Sequence, residues 1–122
     1  MTDPAPSVSG PRAHAAQHVL VVLTEAVSGR EEEFNYWYDN THLADVTSLP
    51  GFVSAKRYEL SSLQLEGFED ATANKYLAIY QIEGDSARAL DALAAGLSDG
   101  SVGLSTALDP SKTKCWSYTA RA

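Results

Sequence analysis

The sequence predicts an α+β domain of ferredoxin-like order, βαββαβ, with a four-stranded antiparallel sheet and two helices on one face. Three observations predict it. Four short segments carry the alternation or the Val, Ile and Tyr richness of strands, and two carry helical spacing, in that order along the chain. Turn signals fall between them at Ser28-Gly29, Pro50-Gly51 and Gly84-Asp85. The two halves then share one order, strand-helix-strand, without a repeated motif.

Residues 1–16 hold three of the five prolines and little bulky apolar matter, so a disordered tail is expected there and the domain over 17–122. Residues 17–27, QHVLVVLTEAV, read as a first strand. Ser28-Gly29 breaks it. Glu31, Glu32 and Glu33 then suit the first turn of a helix, where negative charge meets the positive end of the dipole. They read as a solvated helix start rather than a metal site, because consecutive residues point in different directions. The helix is expected to end near Ser48-Leu49, since the residue before Pro50 is pushed out of the α region. Residues 52–60 form a second strand, with Phe52, Ser54, Lys56 and Tyr58 on one face and Val53, Ala55, Arg57 and Glu59 on the other. The polar stretch 61–73 is long for a hairpin and suggests a flexible or pocket-covering loop. Residues 74–83 alternate cleanly as a third strand. A second helix runs from Ser86 to about Leu97, with Leu90, Leu93, Ala94 and Leu97 as its apolar stripe. Residues 112–120 form the fourth strand, with Lys112, Lys114, Trp116 and Tyr118 on one face.

Two strands are apolar on both sides. Val19, Val21 and Leu23 oppose Leu20 and Val22; Leu77 and Ile79 oppose Tyr76, Ala78, Tyr80 and Ile82. Helices on one face cannot cover the other, so a second cover is needed. Another copy of the chain is the simplest, which predicts a homodimer packed through its sheet faces.

Composition narrows the function classes. A chain of 122 residues is one domain with a small core. A net charge of -7 with nine scattered Lys and Arg argues against nucleic acid and against anionic membranes. No apolar run approaches the roughly 20 residues of a membrane helix, and no signal peptide is recognisable. The single cysteine, Cys115, excludes an intramolecular disulfide and fits a reducing cytoplasm. It reads as a small apolar strand residue. The histidines are His14, His18 and His42, and no cluster has metal-ligand spacing. There is no Gly-x-Gly-x-x-Gly, P-loop or Cys-x-x-Cys, so no nucleotide cofactor is expected.

The candidate site lies in residues 31–58. On the first helix Phe34 and Trp37 are three apart, Tyr38 and His42 four, and Asp39 and His42 three, spacings that make neighbours. An unperturbed histidine titrates near neutrality, which makes His42 the candidate acid or base; Asp39 would orient its ring. The competing reading makes His42 a helix residue bonded to a strand or loop, with Asp39 solvated. Tyr38 and Tyr58 offer apolar faces with a donor at the rim. Arg57 pairs with a ligand carboxylate or phenolate, or lies on a sheet edge beside Glu59 or Glu83; the edge is favoured.

Phe34-Asn35-Tyr36-Trp37-Tyr38-Asp39-Asn40-Thr41-His42, then Leu49-Pro50-Gly51-Phe52 and Arg57-Tyr58, resemble the dimeric α+β barrel superfamily, and within it the EthD-like proteins. The shared pattern is an aromatic helix with (Y/W)-x-x-x-H, a Pro-Gly-aromatic turn and a strand ending near Arg-Tyr, about a quarter of the chain. Thr41 before the histidine, and Ala44 in place of a proline two residues after it, depart from the commoner EthD-like helix. The resemblance implies a pocket between helices and sheet in each subunit, with His42 in it. It implies a small-molecule enzyme: cofactor-free cyclisation, dehydration or isomerisation of an aromatic or polyketide-like intermediate. Its alternatives are a cofactor-free or haem-dependent monooxygenase and a non-catalytic ligand-binding accessory protein. The candidate catalytic residues are then His42, Asp39, Tyr38 and Tyr58, and the ligand-binding ones Trp37, Phe34, Arg57 and Tyr80.

Overall fold

The structure, a computed structural model, describes residues 17–121; the tail expected at 1–16 lies outside them. The strands β1 (His18–Thr24), β2 (Phe52–Glu59), β3 (Tyr76–Ile82) and β4 (Lys114–Thr119) form one sheet in the order β2-β3-β1-β4. Every neighbouring pair is antiparallel. The two central strands are the two richest in Val, Ile, Leu and Tyr, because only they are paired on both edges. The βαββαβ order is therefore present, with the helices on one face.

The first helical segment is continuous but not uniform. It comprises α1 (Glu31–Trp37), a π-turn (Tyr38–His42) and α2 (Leu43–Thr47). Arg30 staples its start, with its guanidinium on Glu33 at 2.6 Å and on the Thr106 carbonyl at 3.0 Å. The helix ends at Thr47, one residue before the expected boundary. In the turn that follows, Gly51 adopts φ +89, and the Glu83 amide donates to its carbonyl at 2.9 Å.

The helix α3 (Ser86–Asp99) starts with the Asp85 carboxylate accepting from the Arg88 amide. It ends at left-handed Gly100, two residues beyond the expected stop. Its buried residues are Ala89 and Gly96, while Leu97 is 43% exposed. The expected stripe is thus only half right: Leu90 and Leu93 pack on the core, but Ala94 and Leu97 do not lie in it. Close approach decides the rotation. A Cβ on Gly51 would lie 2.9 Å from that of Ala89, and one on Gly96 would lie 2.7 Å from Val102 Cγ2.

Two strands differ from simple alternation. A bulge between Phe52 and Ser54 puts two residues of β2 against one of β3, so Phe52 joins Ala55, Arg57 and Glu59 on the helix side. The expected grouping of Phe52 with Ser54, Lys56 and Tyr58 fails for that reason. β4 starts at Lys114 rather than 112, because Asp109 caps a short 3₁₀ turn at Pro110–Lys112.

The core lies between helices and sheet, around Phe34, Tyr38, Val46, Tyr80 and Ile82. The opposite face carries Val19, Val21, Leu23, Leu77 and Ile79, all half-buried, with Tyr58, Trp116 and Tyr118 exposed around them. Residues 61–73 are all exposed, including Leu63, Leu65 and Phe68.

Gly51→Ala is expected to cost about 2–4 kcal/mol, from left-handed strain plus overlap with Ala89. Gly67→Ala, with the same φ of +89 but open space around it, is expected to cost about 1 kcal/mol. Urea unfolding of both variants measures the difference.

Candidate active site

A cavity of about 150 Å³ lies between the first helix and the sheet. Trp37, Tyr38 and His42 line it from the helix, and Leu20, Val22, Tyr80 and Cys115 from the strands. Leu93 and Leu97 of α3, and Leu104 and Leu108 of the following loop, close it.

The π-turn brings the helix residues together. The Leu43 amide donates to the Tyr38 carbonyl, five residues back, so this turn holds one residue more than an α turn. Trp37 and His42, five apart, come onto one face and stack with centroids 4.6 Å apart at 29°. Tyr38 meets His42 edge-on at 4.9 Å. The same widening carries Asp39 away. Its side chain is 57% exposed, and Oδ1 accepts from Arg57 Nη1 at 2.9 Å. The expected Asp39–His42 pair is not formed.

His42 is 7% exposed, and its Nδ1 has no hydrogen-bond partner among the described residues. Burial pushes its pKa down to about 4. The charge of Arg57 adds to that, against Asp45 and the Gly103 carbonyl, which favour protonation. The imidazole is therefore neutral at pH 7.

Beside it the Tyr80 hydroxyl donates to that of Tyr38 at 3.0 Å. Burial raises the pKa of both phenols, and Arg57 opposes the rise in each. Arg57 lies on the edge strand β2, as favoured, but its guanidinium turns under the helix to Asp39 rather than to Glu59 or Glu83. It stands opposite the small Ala78, which leaves room under the helix. Its guanidinium carbon lies 4.3 Å from the Tyr38 ring centroid, 5.2 Å from Tyr76 and 5.4 Å from Phe34.

Four of the eight predicted site residues thus line the cavity: Trp37, Tyr38, His42 and Tyr80. Phe34 is core behind them, wholly buried. Asp39 and Arg57 form a pair behind Tyr38. Tyr58 points to the uncovered side of the sheet, 45% exposed, with Lys56 over its ring. Cys115, Thr24 and Thr113 also line the cavity and were not expected. The pairing of Cys115 with Val22 signals its side, but only once the register is known. Burial raises the Cys115 thiol, which leaves it protonated and inert.

A wider open groove of about 810 Å³ adjoins the cavity, lined by Glu32, Glu33, Tyr36 and Ser105. Trp37 and Leu104 belong to both and stand between them. Among the described residues, no three His, Cys, Asp or Glu side chains come together to hold a metal, and no helix is long and apolar enough to cross a membrane.

Because the folded protein resists protonating His42, the unfolded chain binds more protons between pH 6.5 and about 4. Stability therefore falls as pH drops through that window, by about 3 kcal/mol from this group, and is flat above it. His42→Gln should lose that part of the dependence, read as the urea midpoint at pH 4.5 and pH 7.5.

No protein-family model and no curated protein matches the chain. Solved structures do. The haem degrader MhuD of Mycobacterium tuberculosis, with two haems bound in its active site, is 15% identical over 84% of this chain and 94% of its own, with a TM-score of 0.58. An ethyl tert-butyl ether degradation (EthD) family protein of Bacillus halodurans is 13% identical over 85% of this chain and 99% of its own, TM-score 0.57. HapK of Hahella chejuensis is 15% identical over 86% and 95%, TM-score 0.51. The chain therefore has the ferredoxin-like α+β fold of these structures, an EthD family protein among them.

Proposed function

We propose that this protein is a cofactor-free enzyme for a compact cyclic enol, enone or phenol, working by proton transfer as a homodimer. One observation carries the reading: a neutral histidine with a free Nδ1, stacked in an apolar cavity beside a paired tyrosine hydroxyl. A cavity near 150 Å³ suits about one ring. His42 takes the ligand proton, and Tyr38 donates to the oxygen left with the charge. Trp37 holds the imidazole plane. Asp39, the expected orienting partner, acts instead on Arg57.

Energetics allow the step. Moving a proton from a phenol near 10 to an imidazole near 4 is uphill by about 8 kcal/mol. A turnover of roughly 10 per second corresponds to a barrier of about 16 kcal/mol. The transfer fits as a first step towards isomerisation, cyclisation or dehydration, provided the anion is held.

Haem, the ligand bound in MhuD, does not fit the residues present here. The cavity is below the roughly 300 Å³ at which pockets for larger ligands begin. Glu32 and Glu33 line the adjoining groove, and their carboxylates would repel haem propionates there. A second reading is a cofactor-free monooxygenase, in which dioxygen meets the deprotonated ring. The nearly wholly apolar lining, which admits dioxygen, favours it.

The uncovered sheet face supports the dimer. It places Val21, Ile79 and Trp116 side by side in a surface that a second copy of itself would bury. The single cysteine agrees with a cytoplasmic setting.

Single-ring enones, enol lactones and dihydroxyaromatics incubated in D₂O would report proton transfer as deuterium at carbon. His42→Gln is expected to lower it by about 10²–10⁴-fold, and Tyr38→Phe by about 10²-fold. Undiminished exchange in folded His42→Gln would remove His42 as the base. Oxygen uptake by the haem-free protein would select the second reading. Light scattering should show a dimer, and Val21→Glu should convert it to a monomer.

A further inference from the structure

Arg57 is a costly side chain to bury. It is 12% exposed, and its Nε and Nη2 are buried without an acceptor among the described residues. Its one carboxylate partner, Asp39, is itself more than half exposed, so the pair is screened on that side. Three aromatic faces, Phe34, Tyr38 and Tyr76, supply the rest of its surroundings. A buried ion of this kind is commonly replaceable by an apolar residue of similar size without loss of stability. Packing alone does not account for it.

Its position does. Arg57 does not line the cavity; Tyr38 stands between the two, with the guanidinium behind its ring and the cavity in front. Tyr80 donates to Tyr38, which leaves the Tyr38 proton for a ligand oxygen. The titratable groups facing that hydroxyl are Arg57 from β2, Tyr80 from β3, Cys115 from β4 and His42 on its own helix. Arg57 is the only permanent charge among them.

We propose that Arg57 is a positioning residue that, acting through Tyr38, makes the cavity selective for ligands carrying or acquiring an oxyanion, phenolates and enolates, over neutral rings of the same shape. The inference rests on the reading of Tyr38 as the donor, and it names the charge that the ligand must bear. No atom is transferred to Arg57. Its field strengthens the Tyr80-to-Tyr38-to-ligand chain of hydrogen bonds as negative charge develops on the ligand oxygen.

The test uses two probes of one shape, 4-nitrophenol, whose absorbance reports its ionisation when bound, and 4-nitrotoluene, which has no hydroxyl. The untouched protein is expected to bind the phenolate in preference to the toluene. Arg57→Met should keep or raise the unfolding midpoint, retain 4-nitrotoluene, and lower the phenolate-to-toluene affinity ratio about tenfold. Arg57→Lys should recover part of that ratio. An unchanged ratio in Arg57→Met, or equal loss of both probes, would make Arg57 merely structural and overturn the proposal. Phenolate selectivity that survives while His42→Gln keeps full activity would sink the proton-transfer reading and leave this one standing. Failure of the unaltered protein to bind either probe overturns both.

Discussion

The rest of the site depends on a single backbone hydrogen bond of unusual span, from the Leu43 amide to the Tyr38 carbonyl. In a regular helix the fourth and third residues before His42 flank it, which would set Tyr38 and Asp39 on either side of the imidazole. The wider turn exchanges Asp39 for Trp37. An acidic partner would have raised the basicity of His42; an indole stacked at 4.6 Å excludes water from it. The depressed pKa and the outward carboxylate both follow from that exchange.

The displaced carboxylate has a second effect. Pointing outward and down, Asp39 reaches Arg57 and anchors the turn to β2. β2 can present Arg57 there because the bulge after Phe52 resets its alternation and because Ala78 opposite leaves space. Two local irregularities, one in a helix and one in a strand, thus converge on one ion pair. Both irregularities lie where the cation, the phenols and the imidazole meet, within a core that the first helix shares with β1 and β3.

This division explains what could be read in the sequence. Strand alternation and the Pro50-Gly51 and Gly84-Asp85 turns are local signals, and they indicated the order and sidedness of most elements. His42, Tyr38 and Trp37 line the cavity from the helix because neighbouring helical positions stay close despite a one-residue insertion in the turn, and Tyr80 lines it from β3. The roles of Asp39 and Arg57 were not legible, since they depend on the π-turn and the bulge, which have no signature of their own in residue type. Tyr58 failed for a related reason: without the bulge, Phe52 and Tyr58 would share a face, and Phe52 is core. Cys115 required the β1–β4 register, a long-range fact. In α3, Ala89 and Gly96 lie at the contacts because small residues permit close approach, which a stripe drawn from large apolar residues overlooks.

The same strands serve two surfaces. Leu20, Val22 and Tyr80 face the cavity, and Val19, Val21 and Ile79, one step along, face outward. A one-residue slip of β1 against β3 would exchange the two sets and place tyrosine hydroxyls in the outer apolar surface. Burying that surface against a second copy would therefore penalise the slip on both sides of the sheet at once. An outer face covered in that way would act on the cavity without touching a ligand, by holding Tyr80 at the register that meets Tyr38. Polar substitutions on the outer face of β1 or β3 should consequently loosen the hydroxyl pair before they unfold the domain.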